Sequence, residues 1–250
     1  MQRQDLGPEL DRLTAMRQGG RALRWVKQQL VALLKPGSTA AQIETAATEL
    51  ITQGGFRPSF STVEGYQWTT CVMKNDALCH GIPVDQRLES GDVVTVDLGL
   101  INQGYHLDTT ITEPVGPVSP QTHRFLEAGR AALAQAIDQA RDGATVWQIS
   151  RAIQRHIERQ GYSPVYQLTG HGIGRRLHDE PAIPCVAHRG DKNVKLSQGQ
   201  TLAIEVMYAQ GNAAVVLDDD GWTYRTRDGS LSAMFEETVL VTTDRPEVLT

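Results

Sequence analysis

The chain has few cysteines, no long apolar run and no surplus of positive charge. Its 250 residues include 3 cysteines, Cys71, Cys79 and Cys185. Their odd number and unpaired spacing argue against a disulfide framework and against a structural zinc cluster. The formal net charge is -5, whereas proteins that bind nucleic acid usually show a basic surplus or stripe. We therefore expect reduced thiols and no nucleic-acid partner.

No segment has the composition of a targeting or membrane-spanning sequence. The start, MQRQDLGPELDRL, lacks an apolar stretch and a cleavage site, and no later run approaches the ~20 apolar residues of a membrane span. We expect a soluble, cytoplasmic protein without a membrane partner. Neither a heptad pattern nor a basic tail occurs, so a monomer is the expected state. The hydrophobic content of 40% is enough to bury a full core.

The second half of the chain repeats the first. Residues 37–58, GSTAAQIETAATELITQGGFRP, align with residues 143–164, GATVWQISRAIQRHIERQGYSP. In each segment a Thr and a Gln three residues later fit a capping box at a helix start, and a Gly and a Pro end the helix. The repeat predicts a duplicated supersecondary unit. We expect one catalytic domain over residues 1–250, with halves at about 8–115 and 121–243.

The order of predicted elements is two helices followed by strands, twice. Apolar spacing from Pro8 to Leu34 predicts a long first helix, loosened at Gly19 and Gly20. Segments rich in β-branched residues predict the strands VVTVDLGL, HLDTTITEPV, QTLAIEVMYA and ETVLVT. The joint between the halves, GPVSP at 116–120, is short, which favours one continuous sheet. The acidic run DDDG at 218–221 predicts a solvated turn rather than a calcium site.

Acidic residues occur at equivalent places in the two halves. LESGDVVTVD, ending at Asp97, matches LSQGQTLAIE, ending at Glu205, and DTTI at Asp108 matches EETV at Glu236. Buried carboxylates that lie together need a proton or a cation. Four such charges favour a pair of divalent cations, with His171 adding one imidazole ligand. The duplicated positions disfavour the alternative, in which these acids are surface residues or ion-pair partners.

The strands that carry Asp97 and Asp108 are predicted to form a hairpin. If the chain folds about Asn102 and Gln103, the two aspartates lie directly opposite each other, about 5 Å apart at Cβ. A bulge at Gly104 would shift this register by one residue. The hairpin predicts that the two carboxylates share one face of the sheet.

Histidines accompany the acids in both halves. HGIP at His80 corresponds to HGIG at His171, and His178 follows seven residues later. Spacing alone leaves His171 and His178 open as ligand or proton donor. The glycines at 170, 172 and 174 would let the backbone approach a ligand or adopt unusual dihedrals. Cys79 beside His80 does not indicate a nucleophilic pair, because neighbours on an extended chain point to opposite faces.

Together these motifs resemble a known family. CHGIP, VDLG followed by HLDTT, TGHGIGRRLHDEP, AIEVM and MFEETVLVT resemble, in order and approximate spacing, the motifs of type I methionine aminopeptidases, which are pita-bread metallopeptidases. The resemblance runs from Pro8 to Thr243. It implies an α+β pita-bread fold, with two pseudo-symmetric halves whose helices pack on a shared curved antiparallel sheet. It also implies a hydrolase that removes the N-terminal methionine from nascent proteins through a metal-bridging water or hydroxide.

The resemblance also implies roles for individual residues. Two divalent ions, drawn from Mn, Fe, Co or Zn, would be held by Asp97, Asp108, His171, Glu205 and Glu236. His178 would donate a hydrogen bond to the scissile carbonyl, and His80 would orient or protonate the leaving nitrogen, so both would contact substrate. The methionine pocket would be formed by Tyr66, Cys71, Leu177 and Trp222. The substrate would be the amino terminus of a peptide or nascent chain, and the ribosome is a candidate partner.

Four positions depart from the family pattern without removing a ligand. Val63 and Leu177 replace a tyrosine and a phenylalanine in the pocket, and Val206 and Glu237 replace a proline and a histidine that follow ligand positions. Two alternatives share the fold. A Xaa-Pro aminopeptidase or prolidase-type enzyme usually carries an extra amino-terminal domain, for which we expect no room here. A non-catalytic pita-bread module that binds peptides typically loses ligands, whereas all five are present in this sequence.

Overall fold

The computed structural model describes residues 8–84 and 86–250, so the expectation about the first seven residues lies outside its range. The helices are α1 (Pro8–Val31), α2 (Ala40–Gln53), α3 (Pro120–Ile137) and α4 (Val146–Arg159), with 3-10 turns at Phe60–Thr62 and Arg189–Asn193. In the first half the strands are β1 (Arg57–Pro58), β2 (Thr70–Lys74), β3 (Ala77–Cys79), β4 (Val93–Asn102) and β5 (Tyr105–Pro114). In the second half they are β6 (Ser163–Pro164), β7 (Thr169–Gly172), β8 (Asp179–Pro184), β9 (Thr201–Ala209), β10 (Val215–Leu217), β11 (Tyr224–Thr226), β12 (Ser232–Leu240) and β13 (Glu247–Val248). No helix in this part of the chain combines the length and hydropathy that a membrane span requires.

The predicted helix boundaries in the repeated segment are confirmed. Thr39 and Thr145 precede α2 and α4, and each forms the predicted capping box with the glutamine three residues on. Gly55 and Gly161 follow the same helices with φ of +80° and +81°. This left-handed conformation is open mainly to glycine and stops helical hydrogen bonding. The duplication seen in the sequence is therefore a duplication of local structure.

The first helix is not loosened at its glycines, contrary to the prediction. α1 continues through Gly19 and Gly20, which are both buried. A Cβ at Gly19 would crowd the side chain of Leu107 on β5, and one at Gly20 would overlap the backbone carbonyl of Leu249. The glycines serve close packing of the helix on the sheet, which periodicity within one helix does not reveal.

One ten-stranded sheet runs through both halves, in the order β1-β4-β5-β12-β9-β7-β8, with β2, β6 and β13 pairing outside this path. All of its strand pairs are antiparallel. The halves meet where β5 pairs with β12, through two residue pairs, Glu236 with Thr110 and Glu237 with Thr109. The predicted continuous sheet is therefore confirmed, and its central seam is narrow.

The helices cover one face of this sheet. Val94, Val96 and Leu98 of β4 pack into a cluster with residues of α1 and α2. In the second half, Phe125 of α3 packs against Tyr208 of β9, with ring centroids 4.5 Å apart. Because side chains alternate between faces along a strand, the intervening residues project away from the helices. The opposite face of the sheet is thereby free to carry a site.

The acidic run at 218–221 forms the predicted turn, between β10 and β11 of a separate three-stranded sheet. Asp218 forms an ion pair with Arg225, and Asp220 accepts hydrogen bonds from the backbone and hydroxyl of Thr223 at 2.8 Å and 2.6 Å. These carboxylates are engaged within the turn itself.

Candidate active site

Three of the predicted ligands lie in one row across the sheet. Thr110 of β5 pairs with Asp97 of β4 on one side and with Glu236 of β12 on the other. Glu236 in turn pairs with Glu205 of β9. Adjacent strands lie about 4.8 Å apart, so the three carboxylates converge on the face away from the helices.

The other two ligands lie in the neighbouring row of the same face. Asp108 is opposite Gly99, and its backbone exchanges hydrogen bonds of 2.9 Å and 2.8 Å with the hydroxyl of Thr238. His171 of β7 is opposite Ala203, two residues before the glutamate of β9. Residues two apart on a strand share a face, so the architecture brings all five predicted ligands together.

The predicted register of the β4–β5 hairpin is wrong, because the turn lies one residue further along the chain than expected. The chain turns at Gln103 and Gly104, with φ of +51° and +83°, and Asp97 pairs with Thr110 instead of Asp108. Two-residue turns with positive φ at both positions match the twist of the flanking strands. The partner of Asp97 changes by two residues, which preserves the face. The two aspartates are diagonal neighbours rather than a directly opposed pair.

Side-chain positions within this group fit a cation. One ligand atom from each of Asp108, His171 and Glu236 lies within 4.8 Å of the others. Nε2 of His171 is 3.6 Å from Oε1 of Glu205 and 4.0 Å from Oδ2 of Asp108. Oδ1 of Asp97, Oδ1 of Asp108 and Oε1 of Glu236 are buried and accept no hydrogen bond from the described residues. Buried anionic oxygens without partners are costly, so divalent ions with a preference for oxygen ligands suit this arrangement.

Burial and mutual repulsion hold the carboxyl groups towards their protonated form. Burial raises the pKa of Asp97 to about 7. Burial, together with the charges of Glu236 and Asp97, raises the pKa of Asp108 and of Glu205 well above the usual range. The pKa of Glu236 is raised in the same way, by burial and then by Asp97. A bound cation would reverse these shifts, because it favours the charged carboxylates.

His171 is arranged to offer a lone pair to this group. Its Nδ1 lies 2.8 Å from the carbonyl oxygen of Gly172, which assigns the ring proton to Nδ1 and leaves Nε2 free towards the carboxylates. Burial lowers the pKa of His171 to about 4. The imidazole is therefore neutral near pH 7, the form that coordinates a metal.

These shifts predict a pH dependence for the metal-free protein. A carboxyl group whose pKa is higher in the folded state keeps a proton that the unfolded chain has released, so stability falls as pH rises. Histidines with lowered pKa oppose this trend only up to their unfolded pKa of about 6.5. Between about pH 6.5 and 8.5 the carboxyls dominate, and the pKa of Asp97, about 7, lies inside this window. We expect the melting temperature in EDTA to fall across it.

Differential scanning fluorimetry in EDTA would measure this fall, with a matched series at saturating Mn²⁺ as the control. The metal-loaded series should be flatter, because bound ions keep the carboxylates ionised in the folded state. A melting temperature in EDTA that rises steadily across the same window would contradict the arrangement.

A cavity of about 90 Å³ adjoins the carboxylates. Its wall contains all four residues predicted for the pocket: Tyr66, Cys71, Leu177 and Trp222. The Tyr66 hydroxyl donates to the Thr70 carbonyl at 2.8 Å and lies 3.2 Å from Cys71 Sγ. The rings of Tyr66 and Trp222 meet edge to face, with centroids 5.1 Å apart. Since the tyrosine hydroxyl is engaged elsewhere, the wall is apolar and sulfur-bearing, as suits a flexible thioether.

The remaining predicted histidines lie at the same cavity. The ring of His178 stands edge to face against His171, with centroids 4.6 Å apart. His80 contacts the ring of Tyr224, at 5.9 Å between centroids. Desolvation lowers the pKa of both His80 and His178, and His80 is lowered further by the charge of His178. Each is neutral near pH 7 and can donate a hydrogen bond from one ring nitrogen.

The reason for dismissing the Cys79–His80 pair is wrong. His80 has φ of +55° rather than an extended conformation, and both residues line the cavity. Burial raises the pKa of the Cys79 thiol well above its ordinary value, with a further contribution from Glu205. A thiol held in its neutral form is a poor nucleophile, so the cavity does not favour cysteine chemistry.

Two of the three glycines around His171 allow close packing of strands. A Cβ at Gly170 would overlap the carbonyl of Ala203, and one at Gly172 would overlap the carbonyl of Glu180. Gly174 has open space where its Cβ would be. None of the three has a positive φ, so the expected unusual dihedrals are absent. Two of the glycines let β7 lie close to its neighbouring strands.

Sequence reasoning missed two residues of the site. Phe60, in the first 3-10 turn, lines the cavity beside Val63. Thr110 donates a hydrogen bond of 2.8 Å to Oε2 of Glu236. Thr110 could have been found, because it lies two residues after Asp108 on the same face. Phe60 had no comparable signal in the sequence.

A second polar group lies on the reverse of the central seam, around Glu237. Lys27 of α1 is 8% exposed, and its Nζ lies 2.7 Å from Oε1 of Glu237 and 2.8 Å from the Thr109 hydroxyl. Oε2 of Glu237 accepts from the Thr109 hydroxyl at 3.0 Å and from the Thr250 hydroxyl at 2.7 Å. These residues bind β5 and β12 to each other directly behind Asp108 and Glu236. The buried ammonium group of Lys27 compensates the charge of Glu237, at a position where the family that the sequence resembles commonly has histidine.

Comparisons with known proteins agree with this geometry. The family model "Metallopeptidase family M24" matches residues 14–243. A methionine aminopeptidase of Clostridium perfringens is 35% identical over 94% of this chain and 94% of its own length. A methionine aminopeptidase of Aquifex aeolicus is 42% identical over 78% of this chain and 76% of its own length.

Solved structures show the same likeness at the level of the fold. The crystal structure of a methionine aminopeptidase from Thermotoga maritima superposes with a TM-score of 0.93 at 34% identity, covering 96% of both chains. The corresponding enzyme structure from Rickettsia prowazekii gives a TM-score of 0.93, covering 96% of this chain and 97% of that one. The similarity therefore extends over both duplicated halves.

Proposed function

Because this chain belongs to metallopeptidase family M24, we infer that it is a metal-dependent aminopeptidase that removes the N-terminal methionine from peptides and proteins. One observation carries this function: five ligand-type side chains converge beside an apolar cavity, and three of their buried oxygens have no partner among the described residues. The pita-bread fold predicted from the sequence is confirmed by the likeness to solved methionine aminopeptidases. A Xaa-Pro enzyme is not favoured, since relatives at 35% and 42% identity are methionine aminopeptidases.

We propose that two divalent ions occupy the carboxylate group. Four carboxylates carry the charge that two such ions balance, and the donor set of oxygens with one imidazole suits Mn, Fe, Co or Zn. Asp97 would hold one ion, and His171 and Glu205 the other. Asp108 and Glu236 would also contribute ligands, from the two central strands of the sheet. Bound ions would supply Lewis acidity and a water of lowered pKa.

The histidines would act on the peptide bond itself. His178 lies on the cavity side of His171, where a neutral N–H can donate to the scissile carbonyl and stabilise the charge that develops on its oxygen. His80, which lines the same cavity beside Tyr224, would orient the peptide nitrogen and donate a proton to it as it leaves. The wall around Tyr66 and Trp222 would hold the methionine side chain.

The substrate's free amino group explains why one residue is removed at a time. Held beside the carboxylates that line the cavity, this amine would place the first peptide bond next to His80 and His178. Newly made proteins supply such amino termini, so the ribosome is a proposed partner. One chain supplies every residue of the site, which supports action as a monomer.

Purified protein should release methionine from the tripeptide Met-Ala-Ser, lose this activity in a chelator, and regain it with Mn²⁺, Fe²⁺ or Co²⁺. Free methionine measured by mass spectrometry, with metal content measured on the same sample, would test this. A Xaa-Pro peptide is the matched control and should not be cleaved. A fully metal-loaded protein that leaves Met-Ala-Ser intact would contradict the function and favour a peptide-binding module.

A further inference from the structure

A ladder of arginines lines the surface groove between α3 and α4. Arg151, Arg155 and Arg159 occur at every fourth residue of α4, with Trp147 one turn earlier. Steps of four residues place such side chains about 6 Å apart along one side of a helix. All four side chains line the same groove. We call these four residues the arginine ladder.

The ladder has uncompensated positive charge. Each of its three arginines is exposed, and none forms an ion pair with any residue that the structure describes. Nζ of Lys192 lies 4.7 Å from the ring centroid of Trp147 and adds a further cation. Asp138 is the one acidic residue in the lining of this groove. A local cationic face therefore exists on a chain whose net charge is -5.

The fold itself does not require these arginines, because the first half has the equivalent groove without them. Alignment of Gly37 with Gly143 places α2 over α4, and a groove between α2 and the segment that joins α1 to α2 is lined by the matching positions. The matching pairs are Ala41 with Trp147, Thr45 with Arg151, and Glu49 with Arg155. The equivalent positions on α2 form a groove without these arginines, so the charge in the second groove points to a ligand rather than to folding.

We propose that the arginine ladder binds the phosphate backbone of structured RNA. Guanidinium groups match phosphate geometry bidentately, and phosphate contacts alone can carry such an interface. Apart from Trp147 the groove lacks the apolar centre that a protein partner would need. A base could stack on Trp147, as on other aromatic platforms. The choice of RNA over DNA rests on the proposed function, since an enzyme that acts on new proteins meets RNA.

Binding at the ladder is compatible with peptide cleavage. None of its residues lines the catalytic cavity, so RNA bound there would leave the cavity open. The expectation of no nucleic-acid partner came from the net charge, which averages over the whole surface and hides a local face.

Fluorescence anisotropy with a short labelled RNA hairpin, titrated at several salt concentrations, tests the proposal. Replacing the three arginines together, R151Q/R155Q/R159Q, should weaken binding at least about tenfold at low salt and reduce the slope of log K against log salt by about two to three. The control R21Q/K35Q/R245Q removes the same charge from exposed positions elsewhere and should bind as the unaltered protein does. Both variants should keep their melting temperature and their cleavage of Met-Ala-Ser, which separates this test from that of the peptidase function.

Three results would overturn the proposal. The first is absence of RNA binding by the unaltered protein at low salt, and the second is an equal loss of affinity in the control variant. The third is competition by polyglutamate as effective as that by unlabelled RNA, which would make the groove a general anion surface. A DNA hairpin of the same sequence is titrated in parallel. Tighter binding of DNA than of RNA would overturn the assignment to RNA.

Discussion

Asp108→Asn is expected to reduce metal-dependent cleavage of Met-Ala-Ser by more than about 100-fold, beyond the typical cost of losing an outer-shell partner of a metal. The same change should raise the melting temperature of the metal-free protein. The reason is that Asp108 has a buried oxygen that accepts no hydrogen bond from the residues the structure describes, and a pKa raised by burial and by three neighbouring acids. A neutral amide removes that repulsion and removes the anionic ligand with it.

Calorimetric titration should show weaker binding of Mn²⁺ as a third effect, and an activity assay and melting curves in EDTA would measure the other two. Asp219→Asn makes the same chemical change at an exposed position in the turn after β10 and should leave all three unchanged. Metal affinity that survives Asp108→Asn, or a clear fall of the melting temperature in EDTA, would show that this carboxylate holds the sheet together rather than a cation.

His178→Ala is expected to lower kcat by about 10²- to 10³-fold, the usual cost of removing one donor that stabilises a developing oxyanion. Metal content should stay the same, because His178 is not one of the five proposed ligands; its ring lines the cavity, 4.6 Å between centroids from that of His171. The KM should change less than kcat, since the hydrogen bond strengthens as charge develops on the carbonyl oxygen.

Steady-state kinetics together with metal analysis of the same protein would measure this split. His178→Gln keeps an N–H donor and should recover part of the loss. His123→Ala, at an exposed position on α3, is the matched control and should have no effect. Loss of metal from His178→Ala would make His178 a ligand, and an unchanged kcat would remove it from the reaction.

Local signals in the sequence predicted most of the fold and of the candidate site. The capping boxes at Thr39 and Thr145 depend on residues three apart, and alternation along a strand fixes which residues share a face. The resemblance then identified acids that the sheet does bring together. The role of each remains a proposal, whereas their convergence follows from the pairing of β4, β5, β12 and β9.

What the sequence did not predict depends on contacts between distant parts of the chain. The hairpin register follows from positive φ at both Gln103 and Gly104, and the composition of the loop allowed other turns. Gly19 and Gly20 look like weak points within a helix until the packing of β5 and of Leu249 is known. The pair of Lys27 with Glu237 joins residues that no local pattern relates.

The narrow seam between β5 and β12 has a consequence for how the two halves behave. Two residue pairs and the side chains behind them join the central strands there, and the candidate ligands flank that line from both sides. Cations held between them would act as a cross-link, opposing any hinge that parted one half from the other. Metal affinity in this protein would thus measure how strongly the two repeated halves are held together.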